Sequence, residues 1–287
     1  MKAVYDLEHW QPSYTTAVFL LIAEQQRILR GEEHIDIEIM QGTQEGGFGY
    51  YHRWPKLLSD KQKMYDNVLS PMLYMLPSVR SVKFQVPRYE LEPDTFILPT
   101  KYQTEGYIKA YSSGLRPFHQ PMNCWRDSKL ITVTLRECGI HHWPQRDSDM
   151  ARWTGAARIL QGKGYKVVVV RDSQFYDHPV KKLVIDPEAA LYLECRARLY
   201  QRAALNLFVS NGPAWFSLAL DVPLLMFRPT CETANKGSTD EAMAAAGVIR
   251  GQQIVGAPLH QRLVWEDDLP DTIVNRALEF LSRVAKG

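Results

Sequence analysis

Short apolar runs alternate along this chain with longer stretches in which apolar residues recur every three or four positions. Residues 165–172, YKVVVVRD, are a run of the first kind, and such unbroken β-branched runs are typical of strands buried on both faces. Residues 16–31, TAVFLLIAEQQRILRG, are a stretch of the second kind, with helical spacing. Strands and helices in regular alternation favour a parallel sheet covered by helices, so the predicted fold class is α/β.

The first 86 residues predict the order β-α-β-α-β. The predicted helices are 16–31 and 59–77, and the predicted strands are 2–7, 34–40 and 79–86. Residues 87–122 interrupt this pattern with five prolines, and proline cannot donate to a sheet ladder. We therefore predict an irregular connection there, with a short helix at 101–113. It ends an N-terminal domain of residues 1–122.

The pattern resumes in a C-terminal domain, residues 123–287. Strands are predicted at 129–137, 165–172, 205–210 and 222–227, and helices at 147–164, 187–204, 212–221 and 271–287. Two α/β domains of similar size, joined by one crossing segment, predict a cleft between the two halves.

Composition excludes several classes of function. The net charge is +2, from 34 basic and 32 acidic side chains, and this balance does not indicate a nucleic-acid-binding surface. The four cysteines form no CxxC pair, so we expect reduced thiols and no metal site. No run approaches the roughly 18 apolar residues that span a bilayer, and the N-terminus has no apolar signal core. We expect a cytoplasmic protein, with peripheral membrane contact and oligomeric state left open.

The segment VSNGPAWFSLALDVPLLMF places turn-forming residues between an apolar strand and a helix. Ligands of open parallel sheets bind beyond the carboxyl ends of the strands, where Ser210, Asn211 and Gly212 are predicted to lie. The first turn of a helix leaves N–H groups unpaired, and Pro213 suits the first helical position. These residues predict a phosphate seat, the alternative being that Ser210 or Asn211 only caps an ordinary turn.

Further polar residues follow the other strands of the second half. Arg136 and Arg146 are candidates to pair with a diphosphate, the alternative for each being a solvent-facing role at the surface. Asp172 is a candidate to accept from ribose hydroxyls, the alternative being that it forms only an Asx-turn. Thr134 and Thr230 lie at strand ends on the same predicted rim. The candidate nucleotide- and phosphate-binding residues are therefore Thr134, Arg136, Arg146, Asp172, Ser210, Asn211, Gly212 and Thr230.

Acidic residues at the end of the first strand are candidates for a general base. Asp6, Glu8 and His9 lie at the end of that strand, and Glu45 lies in the glycine-rich loop QGTQEGGFGYYHRW near His52 and Arg53. That loop lacks G-K-S/T and is not a Walker loop. The candidate catalytic residues are Asp6, Glu8 and Glu45, the alternative being a structural role for each.

The second half resembles heptosyltransferases and related GT-B glycosyltransferases over roughly residues 130–285. The resemblance rests on V-S-N-G-P (209–213), L-A-L (218–220) and F-R-P-T (227–230), and on the Trp-Pro, helix and strand pattern of WPQRDSDMARWTGAARILQGKGYKVVVVRD. In the family pattern the helix carries a histidine, where this chain has Trp215 or Phe216. The family's F-G-P-T has glycine where this chain has Arg228.

The resemblance implies two Rossmann-like domains facing a cleft, the GT-B architecture. It implies transfer of a sugar from a nucleotide-sugar donor to a glycan or small-molecule acceptor, with no metal and no cofactor besides the donor itself. Two other functions remain open on the same fold. One is a nucleotide-sugar epimerase or hydrolase, and the other is a non-catalytic sugar-nucleotide-binding protein, which the missing histidine and glycine favour.

Overall fold

The computed structural model describes residues 1–49, 58–98, 103–118, 126–137, 144–232 and 238–284. The chain divides into two compact units, Met1–Phe118 and His119–Gly287. The boundary predicted between residues 122 and 123 lies outside the described residues.

The first unit contains one four-stranded sheet and the helices that pack on it. Its strands are β1 (Lys2–Asp6), β2 (Ile35–Met40), β3 (Val79–Val86) and β4 (Phe96–Ile97), and its helices are α1 (Thr15–Leu29), α2 (Leu58–Met64), α3 (Ser70–Leu73) and α4 (Gln103–Ser112). The predicted order β-α-β-α-β is confirmed. The predicted helix 59–77 is interrupted by a π-helical turn, Tyr65–Leu69, ahead of Pro71, which has no N–H to continue the ladder.

The sheet of the first unit is parallel, with the order β3-β2-β1-β4. The chain adds strands on one side of β1 and then returns to its other side, where Phe96 and Ile97 pair with Ala3 and Val4. Because the strand order reverses between β1 and β4, the carboxyl end of β1 is the place in this sheet where a ligand crevice is expected.

The second unit contains a six-stranded sheet. Its strands are β5 (Asp127–Thr134), β6 (Lys166–Val170), β7 (Val184–Ile185), β8 (Ala203–Val209), β9 (Leu224–Phe227) and β10 (Gln261–Val264). Its helices are α5 (Met150–Gly162), α6 (Pro187–Leu191), α7 (Leu193–Arg202), α8 (Gly212–Ala219), α9 (Asp240–Ala245) and α10 (Pro270–Val284). The predicted helix 187–204 is two helices, because Tyr192 takes an extended conformation (φ −109°, ψ 125°) between them.

All strand pairs of this sheet are parallel, in the order β10-β9-β8-β5-β6-β7. Counted from β5, that order is 6-5-4-1-2-3, the arrangement of doubly wound dinucleotide-binding sheets. The order reverses between β5 and β8, which lie side by side with Thr134 opposite Phe208. The predicted α/β class with Rossmann-like sheets is confirmed, and the carboxyl ends of β5 and β8 form the expected ligand-binding edge.

One hydrophobic core of the second unit lies between the sheet and the helices α5 and α10. Trp153 of α5 is fully buried and meets Phe227 of β9 edge-to-face, with 5.5 Å between ring centroids. Every residue of β8 is buried, as expected for a central strand covered on both faces. Among the described helices, none has both the length and the hydropathy needed to cross a membrane.

Candidate functional site

The turn from β8 into α8 has the local structure that its sequence predicts. The N–H of Ser210 donates to the carbonyl of Phe227 (3.1 Å), which extends the pairing of β8 with β9 by one residue. Asn211 is extended (φ −147°, ψ 174°), and its side-chain oxygen accepts from the N–H of Ala214 at 2.9 Å. Asn211 is therefore the N-cap of α8.

Capping leaves two backbone amides of this turn open. The Asn211 side chain occupies the N–H of Ala214, and the N–H of Trp215 reaches the Asn211 carbonyl (3.3 Å). Within the described residues, no acceptor pairs with the N–H of Asn211 or with that of Gly212. Two free amides at the positive end of a helix can hold an anion. The capping role and the proposed phosphate seat are thus compatible, because they use different groups.

Three of the predicted residues line one small cavity beyond the carboxyl ends of β8 and β9. These residues are Arg146, Ser210 and Thr230, and the cavity has a volume of about 50 Å³. Arg146 donates from Nη2 to the Ser210 carbonyl at 3.2 Å, so its guanidinium is held on the carbonyl side of the Ser210–Asn211 peptide. Ligand sites commonly measure roughly 300–1,000 Å³. This cavity can therefore receive one group of a ligand, and the remainder must lie outside it.

Arg136 lies at the end of β5 but is not part of the cavity lining. Its N–H donates to the Ser148 hydroxyl (2.9 Å), and its Nη1 donates to Asp147 Oδ1 (3.2 Å). The guanidinium is nearly buried, with 10% of the side chain exposed. Arg136 thus fastens the segment that enters α5, and any contact with a ligand comes in addition to that role.

Thr134 and Asp172 are placed less favourably for binding. The Thr134 hydroxyl is buried and lies 2.7 Å from the Tyr200 hydroxyl, so it joins β5 to α7. Asp172 follows β6, and burial raises the pKa of its carboxyl, with Arg196 and a hydrogen bond from the Gln174 N–H acting in the opposite direction. The bond from an N–H two residues ahead is the Asx-turn that was the alternative for Asp172.

Arg228 is a residue of this region that the sequence identified only as a departure from the F-G-P-T pattern. Its φ is +47°, in the left-handed region that favours glycine. Its Nη1 and Nη2 donate to the carbonyls of Gln145 (3.0 Å) and Asp147 (2.7 Å). Its Nε lies 3.2 Å from the carboxylate of Asp268.

Asp268 is the buried partner of this arginine. It is 3% exposed, and it also accepts from the indole N–H of Trp153 at 2.6 Å. Through Arg228, the carboxylate is connected to residues 145–147, the segment that carries Arg146. The side chain of Arg228 thus does what glycine cannot, because it fixes the position of the cationic segment over β8 and β9.

In the first unit, Asp6 ends β1 and is 2% exposed. It accepts two hydrogen bonds from Arg88, at 2.7 Å and 3.0 Å, and one from the N–H of Glu8 at 2.9 Å. This bidentate pair is the most strongly held arrangement for a carboxylate. His9 lies beside it with 52% of its side chain exposed, and its Nε2 is 3.7 Å from Asp6 Oδ2. Sequence reasoning did not identify Arg88.

The glycine-rich loop folds back onto the end of β1. Glu8 accepts from the N–H (2.6 Å) and the hydroxyl (2.9 Å) of Thr43, and the Gly49 N–H donates to the Leu7 carbonyl (2.8 Å). A Cβ atom on Gly49 would lie 2.2 Å from the Glu8 carbonyl oxygen, so only glycine fits this contact.

The remaining candidates of the first half are less constrained. Glu45 lies in a 3-10 turn, Glu45–Gly47, and is exposed, and among the described residues its carboxylate has no hydrogen-bond or ion-pair partner. His52 and Arg53 lie outside the described residues. Within the described part of the chain, no group of three or more His, Cys, Asp and Glu side chains is arranged to hold a metal ion.

Comparisons with known proteins identify the fold. No protein-family model and no curated protein sequence matches the chain. Among solved structures, the chain is similar to the ADP-heptose lps heptosyltransferase II of E. coli (TM-score 0.56, 11% identity, covering 99% of this chain and 100% of that one). It is also similar to the glycosyl transferase family 9 protein of Veillonella parvula (TM-score 0.50, 10% identity, covering 98% of this chain and 97% of that one). The chain has the fold of GT-B glycosyltransferases.

Proposed function

We propose that this protein transfers a sugar from a nucleoside-diphosphate sugar to an acceptor. The observation that carries the proposal is the pair of open amides on Asn211 and Gly212, which lies where the strand order of a doubly wound sheet reverses. The likeness of the whole chain to a heptosyltransferase described by its ADP-heptose donor adds support. That description makes ADP the first nucleotide to test.

The second unit is proposed to bind the donor diphosphate. The N–H groups of Asn211 and Gly212 would donate to one phosphate, and Arg146, whose Nη2 lies 3.2 Å from the Ser210 carbonyl, supplies a positive charge at the same turn. Donors held in place before the reaction stabilise the charge that develops on a departing diphosphate. With a guanidinium and a helix N-terminus in these roles, the transfer is proposed to need no metal ion.

The end of β1 is proposed to supply the general base. Asp6 is buried and doubly bonded to Arg88, so its carboxylate is poorly placed to meet an acceptor hydroxyl. His9 is exposed and its Nε2 lies 3.7 Å from that carboxylate. We assign His9 the proton transfer, with the carboxylate of Asp6 facing its imidazole. Glu8 would hold the neighbouring loop through Thr43.

The donor site is tested by titrating ADP, UDP, GDP and CDP into the wild-type protein and into two variants, Gly212→Ala and Gly212→Asp, with isothermal calorimetry. A carboxylate at the first helical position favours the helix but repels a phosphate. At roughly 4 Å and an effective dielectric constant near 20, the repulsion is about 4 kcal/mol. We expect Gly212→Asp to weaken binding at least about a hundredfold at unchanged melting temperature, and Gly212→Ala to weaken it little.

Two results would contradict the proposal. One is the absence of binding by every nucleoside diphosphate at millimolar concentration. The other is equal affinity of the wild type and Gly212→Asp, since the phosphate would then lie elsewhere.

A non-catalytic sugar-nucleotide-binding protein is the second candidate, and it is favoured by the absence of the family pattern's helix histidine and of its glycine, which is Arg228 here. Incubating each donor that binds, with and without candidate acceptors, separates these functions. Transfer requires an acceptor, an epimerase or hydrolase alters the donor alone, and a binding protein leaves the donor unchanged. Under the transfer mechanism, His9→Gln should lower the rate of transfer without changing nucleotide affinity.

A further inference from the structure

A groove of about 820 Å³ lies at the edge of the second unit's sheet, bordered by β10 and α10. Its volume falls in the range of small-molecule sites. The apolar side chains of Leu225, Val264 and Phe280 line it, and Leu259, which is 80% exposed, lies on its rim. None of the residues that line the β8–β9 cavity belongs to it. The proposed sugar transfer leaves this groove without a role.

The ionisable side chains that line the groove have hydrogen-bond or ion-pair partners, with one exception. Arg276 bonds to Glu266 and Glu279, and Arg283 also bonds to Glu279. His260 lies 3.0 Å from Asp221. Arg262 is the exception: within the described residues, its guanidinium has no hydrogen-bond or ion-pair partner.

Arg262 is directed at the apolar part of the groove by its place in the strand. It is two residues from Val264, so both side chains leave β10 on the same face, and it pairs in register with Leu225 of β9. Arg262 is half-buried. A partly desolvated guanidinium beside apolar side chains gains most from a carboxylate or phosphate that it can bind with two parallel hydrogen bonds.

The outer edge of β10 is closed to a further strand. The side-chain amide of Gln253 accepts from the Leu263 N–H (2.7 Å) and donates to the Leu263 carbonyl (2.9 Å), as a neighbouring strand would. The N–H of Gln261 is occupied by the Pro258 carbonyl (3.0 Å). An extended peptide therefore has no free ladder to join here, which leaves the face of β9 and β10 as the binding surface.

We propose that this groove binds a small anionic amphiphile. The carboxylate or phosphate head pairs with Arg262, and the apolar body lies along the exposed Leu259 and the half-buried Trp265, above the core side chains of Leu225, Val264 and Phe280 that form the floor of the groove. The site is independent of the proposed sugar transfer.

The probe is decanoate, with 1-decanol as its uncharged counterpart, titrated below micelle-forming concentrations into the full chain. Binding is followed by calorimetry and by ¹H–¹⁵N NMR of the tryptophan indoles. Trp265 lines the groove and donates to the Gln252 carbonyl (2.8 Å), whereas the buried indole of Trp153 donates to Asp268. We expect decanoate to shift the Trp265 indole resonance and to leave that of Trp153 unchanged.

Variants test the head-group contact. Arg262→Gln should weaken decanoate binding about tenfold or more, since hydrogen bonds to charged groups are the strong ones. Arg262→Lys should keep most of the affinity. Arg198→Gln, which removes an exposed arginine paired with Glu194 on α7, should change nothing. The indole shift in the wild-type protein decides the matter even if Arg262→Gln fails to fold.

Three results would overturn the proposal. These are no saturable binding of decanoate, equal binding of decanol and decanoate, and a shift at Trp153 in place of Trp265. A parallel arm uses phosphatidylcholine vesicles with and without phosphatidylglycerol. Binding to the anionic vesicles but not to decanoate would assign the surface to a membrane and so also overturn a small-molecule site.

Discussion

Replacing Arg228 by glycine tests whether the contacts of its guanidinium stabilise the carboxyl-end edge of β8 and β9 or whether its left-handed backbone conformation only destabilises it. Glycine suits a φ of +47°, and glycine is the residue of the family pattern at this position. If the backbone alone mattered, Arg228→Gly would stabilise the protein. If the guanidinium matters, the loss of its contacts with Asp268, Gln145 and Asp147 should exceed that gain.

The opposing contributions can be compared from the structure. Glycine removes the strain of the left-handed conformation, which should raise the free energy of unfolding by about 1–2 kcal/mol. The greater freedom of glycine in the unfolded chain lowers it again by about 0.5–1 kcal/mol. Removing one partner of a buried ion pair costs about 3–5 kcal/mol, because Asp268, only 4% exposed in its side chain, then retains within the described part of the chain only the Trp153 indole and the more distant, half-exposed Arg152 at 3.9 Å. The expected net loss of unfolding free energy is therefore about 2–4 kcal/mol.

The measurement is urea unfolding at pH 7 followed by circular dichroism, with Lys182→Gly as the matched control. Lys182 also has a positive φ (62°) but is exposed and has no partner within the described residues. Its replacement should leave the stability unchanged or raise it by about 1 kcal/mol. The double variant Arg228→Gly/Asp268→Asn should recover part of the loss, because it removes a buried carboxylate whose one remaining ion-pair partner among the described residues is Arg152, 3.9 Å away. Equal stability of Arg228→Gly and the wild type would refute the reasoning.

Three further changes test separate parts of the structure by the same unfolding assay. Gly49→Ala should lower the free energy of unfolding by about 1–3 kcal/mol, because the new Cβ would meet the Glu8 carbonyl. As the control, Gly162→Ala, whose Cβ would have no atom within 4 Å, should stabilise α5 by about 0.5–1 kcal/mol. Equal effects of the two changes would contradict the close contact at Gly49. Asp172→Asn should raise stability at pH 7. Burial raises the pKa of this carboxyl in the folded protein above its unfolded value of about 3.9, so the charged form lowers the stability more and more as the pH rises through the folded pKa. The advantage of Asn should therefore disappear as the pH falls toward 4. A difference in stability that stays constant across pH would count against this. Asn211→Ala should cost about 1 kcal/mol through the lost cap, and no loss would show that the Ala214 N–H is satisfied otherwise.

Local sequence pattern was sufficient to predict the elements that build the two sheets. The run KVVVV became β6, and 79–86 became β3 over its whole predicted length. The pattern failed where strands are short. Phe96–Ile97, Val184–Ile185 and Gln261–Val264 have two to four residues each and are strands only because a neighbouring strand supplies their hydrogen bonds.

In the candidate site as well, features formed by residues close together in the sequence could be predicted, and features formed by distant residues could not. The cap and open amides around Asn211 involve residues close together in the sequence, so a turn signal followed by Pro213 was enough to predict them. The pairing of Asp6 with Arg88 joins residues 82 apart, and a strand-end carboxylate cannot be distinguished from a free base until that partner is located. Arg228 required still more, because its role depends on a backbone dihedral and on a buried acid 40 residues later. Assigning a catalytic role to a carboxylate from its position at a strand end is therefore least reliable where a residue of opposite charge can form an ion pair with it. That is the reason to test His9, whose side chain stays accessible, before Asp6.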